Sequence, residues 1–452
     1  MYIPKNVIIT ENARICPDTQ VILNRIKILN PNVNVTYSAN ELPKYTGITN
    51  SEDRYHYMKD TVVLAHRGDP FIETFASPGR IFEKPGTMVK SVFMCGLECE
   101  YCYLQTTAIR HYRQRIFVNT NHLENEILNE LILDTMFRST LSIMEKLSGK
   151  NFYKIPQNFK KVCDGIRKFL NGKKRQLLSE KTVRDYFKTH LYFMLKDMEF
   201  DFDKSKFKRF WNKLDLIFDE NKLYKPVFVI SEYTDLLAID HIAGHFRLFM
   251  DLIQKHDDLQ LSFRTRSADV DRFIKYDGKD RVLVTIQLDP EYVIKNYQKN
   301  TSSLPERIKA ISKVMNASGF KVKIAIEPII FYKGYEKDYV ELMQQLAKHI
   351  DMNKVDSFDI GCLRASSNLQ TEIGKNYPKS DVLNLEHPLE KPVGEKKWRY
   401  PLSERANIYK ILIDEIRKYS NSRISLGAEN PEAWIQSGLQ IPKSSNFYHK
   451  IK

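Results

Sequence analysis

The apolar residues of the chain occur in short runs that predict β-strands, and helical patterns separate most of these runs. Strands are expected at residues 88–94, 227–230, 259–264, 281–286, 320–326 and 357–362. Helices are expected over residues 123–143, 238–255, 304–315 and 338–350. Because strands that alternate with helices form parallel βα units, the pattern predicts an α/β fold with an open, six-stranded partial barrel. In such folds the reactive groups lie at the carboxyl ends of the strands.

The same pattern divides the chain into four parts. The first residues carry shorter elements, which are strands at 6–10, 33–37 and 61–65 and a helix over 21–29. These elements predict a small amino-terminal α/β domain. The expected parts are this domain at 1–80, the partial barrel at 81–135 and 223–375, an insertion at 136–222, and a carboxy-terminal region with a basic hairpin and helices at 376–452.

Positive charge is concentrated in the predicted insertion. The whole chain has 70 basic and 56 acidic residues, a formal net charge of +14. Residues 146–213 alone contain 19 basic and 7 acidic residues. The segment 204–211 interleaves basic and aromatic residues, a composition that favours nucleic-acid binding. The alternative is a helical insertion whose aromatic side chains pack inward while its basic side chains stay in solvent.

Hydropathy and cysteine content predict a cytoplasmic protein with no membrane segment. No apolar run approaches the roughly 20 residues that a transmembrane helix needs. The first residues lack the basic stretch and apolar core of a secretory signal. Six cysteines in 452 residues are too few for a disulfide scaffold. Three of them fall within eight residues, which indicates metal or redox chemistry in a reducing compartment.

The clustered cysteines have the spacing CxxxCxxC at Cys95, Cys99 and Cys102, directly after the first strand of the predicted barrel. Soft thiolates select zinc, copper(I) or iron–sulfur clusters. A structural zinc site needs four ligands, and no fourth cysteine or histidine stands close in the sequence. Three thiolates on one loop can hold three irons of a [4Fe–4S] cluster and leave the fourth open to a cofactor or substrate. The spacing therefore predicts a [4Fe–4S] site.

This motif resembles that of the radical S-adenosylmethionine (AdoMet) superfamily, in which an aromatic residue, here Tyr101, precedes the last cysteine. More narrowly, residues 99–107, CEYCYLQTT, are similar to the cluster loop of the spore photoproduct lyase family. The similarity continues through the amino-terminal unit and through residues 234–241, 289–307, 327–335 and 397–400. Only residues 136–222 have no counterpart in that family.

The resemblance implies a [4Fe–4S] cluster and AdoMet as cofactors, with a low-potential electron donor such as flavodoxin or ferredoxin as a partner. In this family the reduced cluster cleaves AdoMet, and the 5′-deoxyadenosyl radical takes a hydrogen atom from a thymine photoproduct in DNA. The implied activity is DNA repair by a carbon–carbon lyase. Cofactor regeneration in the family uses a cysteine hydrogen donor together with two tyrosines.

Individual residues match the family's motifs. Cys95, Cys99 and Cys102 match the cluster ligands, and Tyr101 and Tyr103 match the two tyrosines. Arg266 stands where the family has a basic residue near the AdoMet carboxylate, which a guanidinium binds with two hydrogen bonds. The expected cofactor-binding residues are Ser231, Glu232, Arg266 and Gln287, and the expected nucleic-acid contacts are Lys397, Arg399 and Tyr400.

Glu232 is the main departure from the family. It stands where the lyases carry their hydrogen-donor cysteine, and a carboxyl O–H is a far poorer hydrogen-atom donor than a thiol. A carboxylate there can also accept hydrogen bonds from the AdoMet ammonium. Cys163 or Cys362 can replace the donor if either reaches the pocket.

Two other hypotheses stay open. One is a lyase-like enzyme with a different substrate, namely a protein, an RNA or a small molecule. The other is a nucleic-acid-binding protein with a structural cluster and no catalysis.

Overall fold

The computed structural model describes residues 2–39, 47–75, 86–107, 112–148, 165, 178–197, 205, 207–212, 227–230, 232–383, 386–392, 395 and 397–441. The strands are β1 (Asn6–Thr10), β2 (Asn34–Ser38), β3 (Thr61–Ala65), β4 (Ile72–Phe75), β5 (Gly86–Val89), β6 (Val92–Phe93), β7 (Glu98–Cys99), β8 (Gln114–Phe117), β9 (Val227–Val229), β10 (Gln260–Thr265), β11 (Val282–Gln287), β12 (Gln298–Lys299), β13 (Phe320–Ile329), β14 (Ser357–Cys362), β15 (Arg364–Ala365), β16 (Trp398–Arg399) and β17 (Arg423–Leu426). The α-helices are α1 (Pro17–Leu29), α2 (Ser51–Lys59), α3 (Leu104–Thr107), α4 (Leu123–Ser148), α5 (Glu180–Asp197), α6 (Leu236–Ala243), α7 (His245–Lys255), α8 (Glu291–Tyr297), α9 (Leu304–Met315), α10 (Tyr335–His349), α11 (Ser367–Asn376), α12 (Leu402–Arg417) and α13 (Pro431–Gln436).

The larger sheet has eight strands in the order β17-β14-β13-β11-β10-β9-β5-β4. Neighbours from β17 to β5 pair in parallel, and β4 pairs antiparallel at the edge. The six predicted strands correspond to β5, β9, β10, β11, β13 and β14, so the predicted parallel α/β arrangement is confirmed. The sequence did not predict β17, which adds a seventh parallel strand. Curvature of the sheet into a partial barrel stays a prediction.

Burial and glycine geometry explain the elements between these strands. All six residues of β11 are buried, as expected for a strand covered on both faces of a parallel sheet. The helix predicted over 238–255 is divided into α6 and α7, because Gly244 between them has a left-handed φ of 72°. The side chain of Asp235 caps α6 by accepting a hydrogen bond from the Ala238 amide at 3.2 Å.

The smaller sheet has five strands in the order β2-β1-β3-β8-β6. Strands β1 to β3 were predicted, and β3 is buried along its whole length, so it needs a partner on each side. That second partner is β8, which comes from the segment assigned to the barrel. Strand β6 then pairs antiparallel with β8. The strand predicted at 88–94 is thus two strands in two sheets, and the domain boundaries stay a prediction.

The two sheets share one apolar core. A single cluster of buried side chains includes residues of β1 and β3 as well as residues of β10 to β14. Polar contacts reinforce the junction, since the Arg25 guanidinium of α1 donates to the Ile242 and Ala243 carbonyls of α6 at 3.1 Å each. This packing holds the amino-terminal unit against the ends of the larger sheet.

The described part of the insertion is helical, as predicted. Its aromatic residues Phe207, Phe210 and Trp211 are buried, whereas Lys208 and Arg209 between them are exposed. This is the inward packing that one of the two interpretations expected. Cys163 lies outside the described residues. No helix in the part of the chain that the structure describes is long and apolar enough to span a bilayer.

Candidate active site

A cavity of about 430 Å³ lies at the carboxyl ends of β10, β11, β13 and β14. This is where a parallel α/β fold places its chemistry. Nine residues that the sequence analysis singled out for the site line this cavity: Cys95, Cys99, Cys102, Tyr101, Tyr103, Glu232, Arg266, Gln287 and Lys397. Ser231 lies outside the described residues.

The cysteine loop is fixed at both ends by backbone contacts. It follows β6, and the Lys59 ammonium donates to the Cys95 carbonyl at 2.5 Å. At the other end β7 pairs antiparallel with β12, with Cys99 opposite Gln298. Gly96 is required by close approach, because a Cβ there would lie 2.7 Å from the Tyr2 ring. Contacts within the protein therefore fix the conformation of the cysteine loop without a metal.

Cys95 and Cys99 are buried and Cys102 is half-buried, and the positive charges of Lys59 and Arg266 offset only part of the effect of this burial on the thiols. Burial raises the pKa of Cys95 and of Cys99 to about 11, and it raises the pKa of Cys102 as well. In the absence of metal these groups are neutral thiols at pH 7, so iron must displace their protons when it binds.

The donor set fits an iron–sulfur cluster better than it fits one ion. Within the described residues, no three His, Cys, Asp or Glu side chains converge on a point where a single metal ion would bind. A [4Fe–4S] cluster does not need such convergence, because each thiolate binds a different iron.

Arg266 is held as a charged group at the cavity wall. Its backbone N–H donates to the Asp235 carboxylate at 2.6 Å. Its guanidinium donates to the Tyr101 hydroxyl at 3.4 Å and to the Glu327 carbonyl at 3.2 Å. Burial by itself lowers the pKa of Arg266, but Tyr101, Cys99 and Asp289 raise it on balance. The guanidinium is thus a fixed positive charge beside the cluster loop.

Tyr101 is positioned by a buried hydrogen-bond chain. Its hydroxyl accepts from the Gln298 side-chain amide at 2.5 Å, and the Gln298 carbonyl oxygen accepts from Arg307 at 2.6 Å. Arg307 in turn lies 3.1 Å from the Asp289 carboxylate, and both of these side chains are almost completely buried. The sequence analysis did not assign Asp289 and Arg307 to the site, because their pairing is visible only in three dimensions.

Tyr103 lies in a different environment from Tyr101. It is 45% exposed, and its hydroxyl donates to the backbone carbonyl of Glu232 at 2.7 Å. A hydrogen bond therefore connects Tyr103 directly to Glu232, the residue that differs from the family's cysteine.

Glu327 forms the wall that lies on β13. Its carboxylate accepts a hydrogen bond from Arg264 at 3.0 Å and lies 3.9 Å from the Arg364 guanidinium. Gly427 allows this position, since a Cβ there would lie 2.7 Å from a Glu327 carboxylate oxygen. The Gln287 amide donates to the Glu327 carbonyl at 2.9 Å, so Gln287 also supports this wall.

The structure places two of the three expected nucleic-acid contacts inside the protein, and their contact with nucleic acid stays a prediction. Arg399 and Tyr400 are buried, 4% and 1% exposed. Arg399 donates to the Glu429 carboxylate at 3.0 Å, and the Tyr400 ring stacks on Phe331 with centroids 3.8 Å apart. Lys397 is half-buried and lines the cavity.

Cys362 is the free thiol that reaches the cavity in addition to the loop cysteines. It ends β14 and is 3% exposed. Burial raises the pKa of this thiol well above its usual range, so it is protonated at neutral pH. The thiol itself is hydrogen-bonded to the Tyr409 hydroxyl, so Cys362 lines the cavity with its sulfur already engaged.

Comparison with known proteins points to one kind of relative. The profile of the family described as spore photoproduct lyase matches residues 209–426. Spore photoproduct lyases from Clostridium acetobutylicum and Bacillus subtilis are 23% identical over 199 residues and 31% identical over 159 residues. Over this part of its length the chain is similar to spore photoproduct lyases.

These sequence matches are partial. They cover 43% and 34% of this lyase-like chain and 58% and 46% of the two relatives. The chain thus spans about half the length of the curated relatives it matches. The matched profile includes Arg266, Gln287 and Glu327 and begins after the cysteine loop.

Solved structures extend the likeness to the whole fold. A spore photoproduct lyase complexed with dinucleoside spore photoproduct aligns with a TM-score of 0.62 at 18% identity, over 94% of this chain and 98% of that one. A mutant lyase with bound AdoMet and dinucleoside spore photoproduct aligns equally well, with a TM-score of 0.62. At this identity the likeness establishes the fold, and it confirms the predicted α/β class.

Proposed function

We propose that this lyase-like chain is a radical AdoMet enzyme that acts on a thymine photoproduct in DNA. The observation that carries the proposal is that one cavity at the strand ends gathers the CxxxCxxC cysteines, the Arg266 guanidinium and the two tyrosines. The printed descriptions of its relatives support the substrate class, since two similar lyase structures hold dinucleoside spore photoproduct.

The residues divide the work as follows. Cys95, Cys99 and Cys102 hold the [4Fe–4S] cluster through their thiolates. When bound, the cluster and AdoMet supply a 5′-deoxyadenosyl radical for hydrogen abstraction. Arg266 is a permanent cation suited to the AdoMet carboxylate, and the Gln298–Arg307 chain keeps Tyr101 in one orientation. The electron enters from a low-potential protein such as flavodoxin or ferredoxin.

The test is an anaerobic assay of the reconstituted protein with AdoMet, dithionite and DNA that carries the spore-type thymine photoproduct. Restored thymine and 5′-deoxyadenosine are quantified together. We expect thymine to appear and to depend on both AdoMet and reductant. An absence of AdoMet cleavage under these conditions would refute the proposal and favour a binding protein with a structural cluster.

A second candidate is a lyase-like enzyme with another substrate. The observation that favours it is the cavity wall, where Glu232 stands at the family's donor position and Glu327 adds a second carboxylate. Two carboxylates suit a substrate that offers hydrogen-bond donors. Cleavage of AdoMet without thymine formation would support this candidate.

Glu232→Cys separates the two roles expected of Glu232. If a thiol at this position is what repair lacks, the ratio of thymine formed to 5′-deoxyadenosine released should rise, because a thiol gives up its hydrogen atom far more readily than a carboxyl group. The ratio is measured by chromatography of both products in one reaction.

Glu232→Ser is the matched control, because it has the same size as cysteine without the weak S–H bond. If both variants only raise the AdoMet concentration needed for half-maximal rate, Glu232 holds the AdoMet ammonium and is not a replaced donor. A higher product ratio with serine as well would contradict the thiol explanation.

A further inference from the structure

The described part of the insertion is a pair of helices with an aromatic interior. Helix α5 and the helical residues 207–212 meet through Phe187 and Trp211, whose ring centroids are 6.4 Å apart. Tyr192 and Phe207 form a closer contact at 5.0 Å. Because these rings are used for packing, they do not form a platform for stacking nucleobases.

The outer side of the same pair is basic. Lys181 and Lys188 of α5 and Lys208 and Arg209 of the second helix are exposed, and we call these four residues the insertion face. Asp185 is the exposed acidic residue among the side chains of these helices that the structure describes. The face therefore keeps a clear positive excess at neutral pH.

One cation of α5 lies against the second helix. The Lys188 ammonium is 5.1 Å from the centroid of the Trp211 ring. Lys208 precedes Trp211 by three residues, and side chains three apart are neighbours on a helix surface. Lys188 therefore lies beside the helix that carries Lys208 and Arg209.

This surface fits a phosphate backbone rather than exposed bases. Single-stranded nucleic acid is bound by basic grooves in combination with aromatic stacking platforms. The rings of Phe187, Phe207, Phe210 and Trp211 are buried, and Phe193, at 61% exposure, is the one strongly exposed ring among the described side chains of α5 and residues 207–212, which is too few for a stacking platform. Lysine and arginine alone provide contacts to phosphates that are independent of sequence. The chemistry of the face therefore favours duplex DNA.

We propose that the insertion face binds the backbone of duplex DNA away from the cavity. The inference rests on the proposed function only in that DNA is the substrate. Contacts outside the cavity hold the duplex through its charge, and the cavity residues act on the photoproduct. The insertion thereby supplies affinity for long DNA that a dinucleotide substrate does not use.

The test compares two triple variants of equal net charge. Lys188→Gln/Lys208→Gln/Arg209→Gln removes three cations of the face. Lys27→Gln/Lys309→Gln/Lys337→Gln removes three exposed lysines of α1, α9 and α10. Affinity for an undamaged fluorescent duplex is measured by anisotropy at several salt concentrations, and thermal unfolding of each variant checks its fold.

The face variant should bind the duplex about tenfold or more weakly, and the slope of log affinity against log salt should become shallower by about 3. The control variant should keep the wild-type slope. Turnover of the dinucleotide spore photoproduct should be equal in all three proteins, because that substrate is too short to reach the face.

Unchanged affinity and slope in the face variant would overturn the inference, as would preferred binding to single strands or to anionic vesicles. If the triple variant does not fold, the single variants Lys208→Gln and Arg209→Gln carry the test with a slope change of about 1 each. Failure of repair by the wild type would refute the proposed function and leave duplex binding by the face intact, so the two failures are distinguishable.

Discussion

Replacing Cys99 by alanine should abolish cluster binding and all AdoMet cleavage. Cys99 is one of three loop thiols that line the cavity, and two remaining thiolates cannot hold the [4Fe–4S] unit. The iron content of the anaerobically reconstituted variant, its absorbance in the visible range and its yield of 5′-deoxyadenosine should all fall to background.

Cys16→Ala is the matched control for this change. Cys16 is a partly buried thiol at the amino end of α1, outside the cavity. Its replacement should leave iron content and AdoMet cleavage as in the wild type. A Cys99→Ala protein that retained its cluster would show that the metal site has been assigned to the wrong residues.

Replacing Glu429 by alanine should cause the largest loss of stability, about 3–5 kcal/mol in the free energy of unfolding. The Glu429 carboxylate is buried and lies 3.0 Å from both Arg399 and Arg405. It also accepts a hydrogen bond from the Tyr409 hydroxyl at 2.7 Å. Without it, the buried Arg405 guanidinium loses this counter-charge, and the buried Arg399 is left with the Glu395 carboxylate at 3.1 Å. Urea denaturation followed by circular dichroism measures the effect.

Glu432→Ala removes an exposed carboxylate three residues away and serves as the comparison. It should change the free energy of unfolding by no more than about 0.5 kcal/mol, as surface substitutions do. Equal effects of the two substitutions would mean that the Glu429 network contributes little, and that the burial of Arg399 needs another explanation.

The parallel strands could be predicted because each one leaves a local trace. Strand β11 is rich in β-branched and apolar residues, with Val282, Leu283, Val284 and Ile286 in six positions, and α9 begins and ends at the predicted residues. Strand β17 was missed because its four residues alternate between exposed and buried positions, which is too short a pattern to recognise. Residues 88–94 look like one strand, but the chain leaves the larger sheet after Val89, and Val92 and Phe93 pair with β8 of the smaller sheet.

The sequence could predict only the part of the candidate site that follows from the spacing of neighbouring residues. Three cysteines at fixed intervals predict a metal-binding loop without any knowledge of the fold. Partners far apart in the chain leave no such trace, and Tyr101 and Gln298 are separated by 197 positions. Residues 397–400 suggested a surface hairpin because they are basic and aromatic. The partner of Arg399 is Glu429, which lies 30 positions away, so the sequence near Arg399 does not indicate that it is buried.

The cysteine loop connects the smaller sheet to the part of the chain that carries the larger sheet. It leaves β6 of the smaller sheet, and β7 then pairs with β12, which follows the larger sheet's β11. A ligand that binds this loop therefore favours the folded arrangement in which the loop contacts both parts of the protein. By linkage, occupancy of the loop adds its binding free energy to the stability of that junction. Loss of iron under oxidation should loosen the junction first and leave each sheet folded, so the loaded and unloaded proteins should differ most in the cooperativity of unfolding.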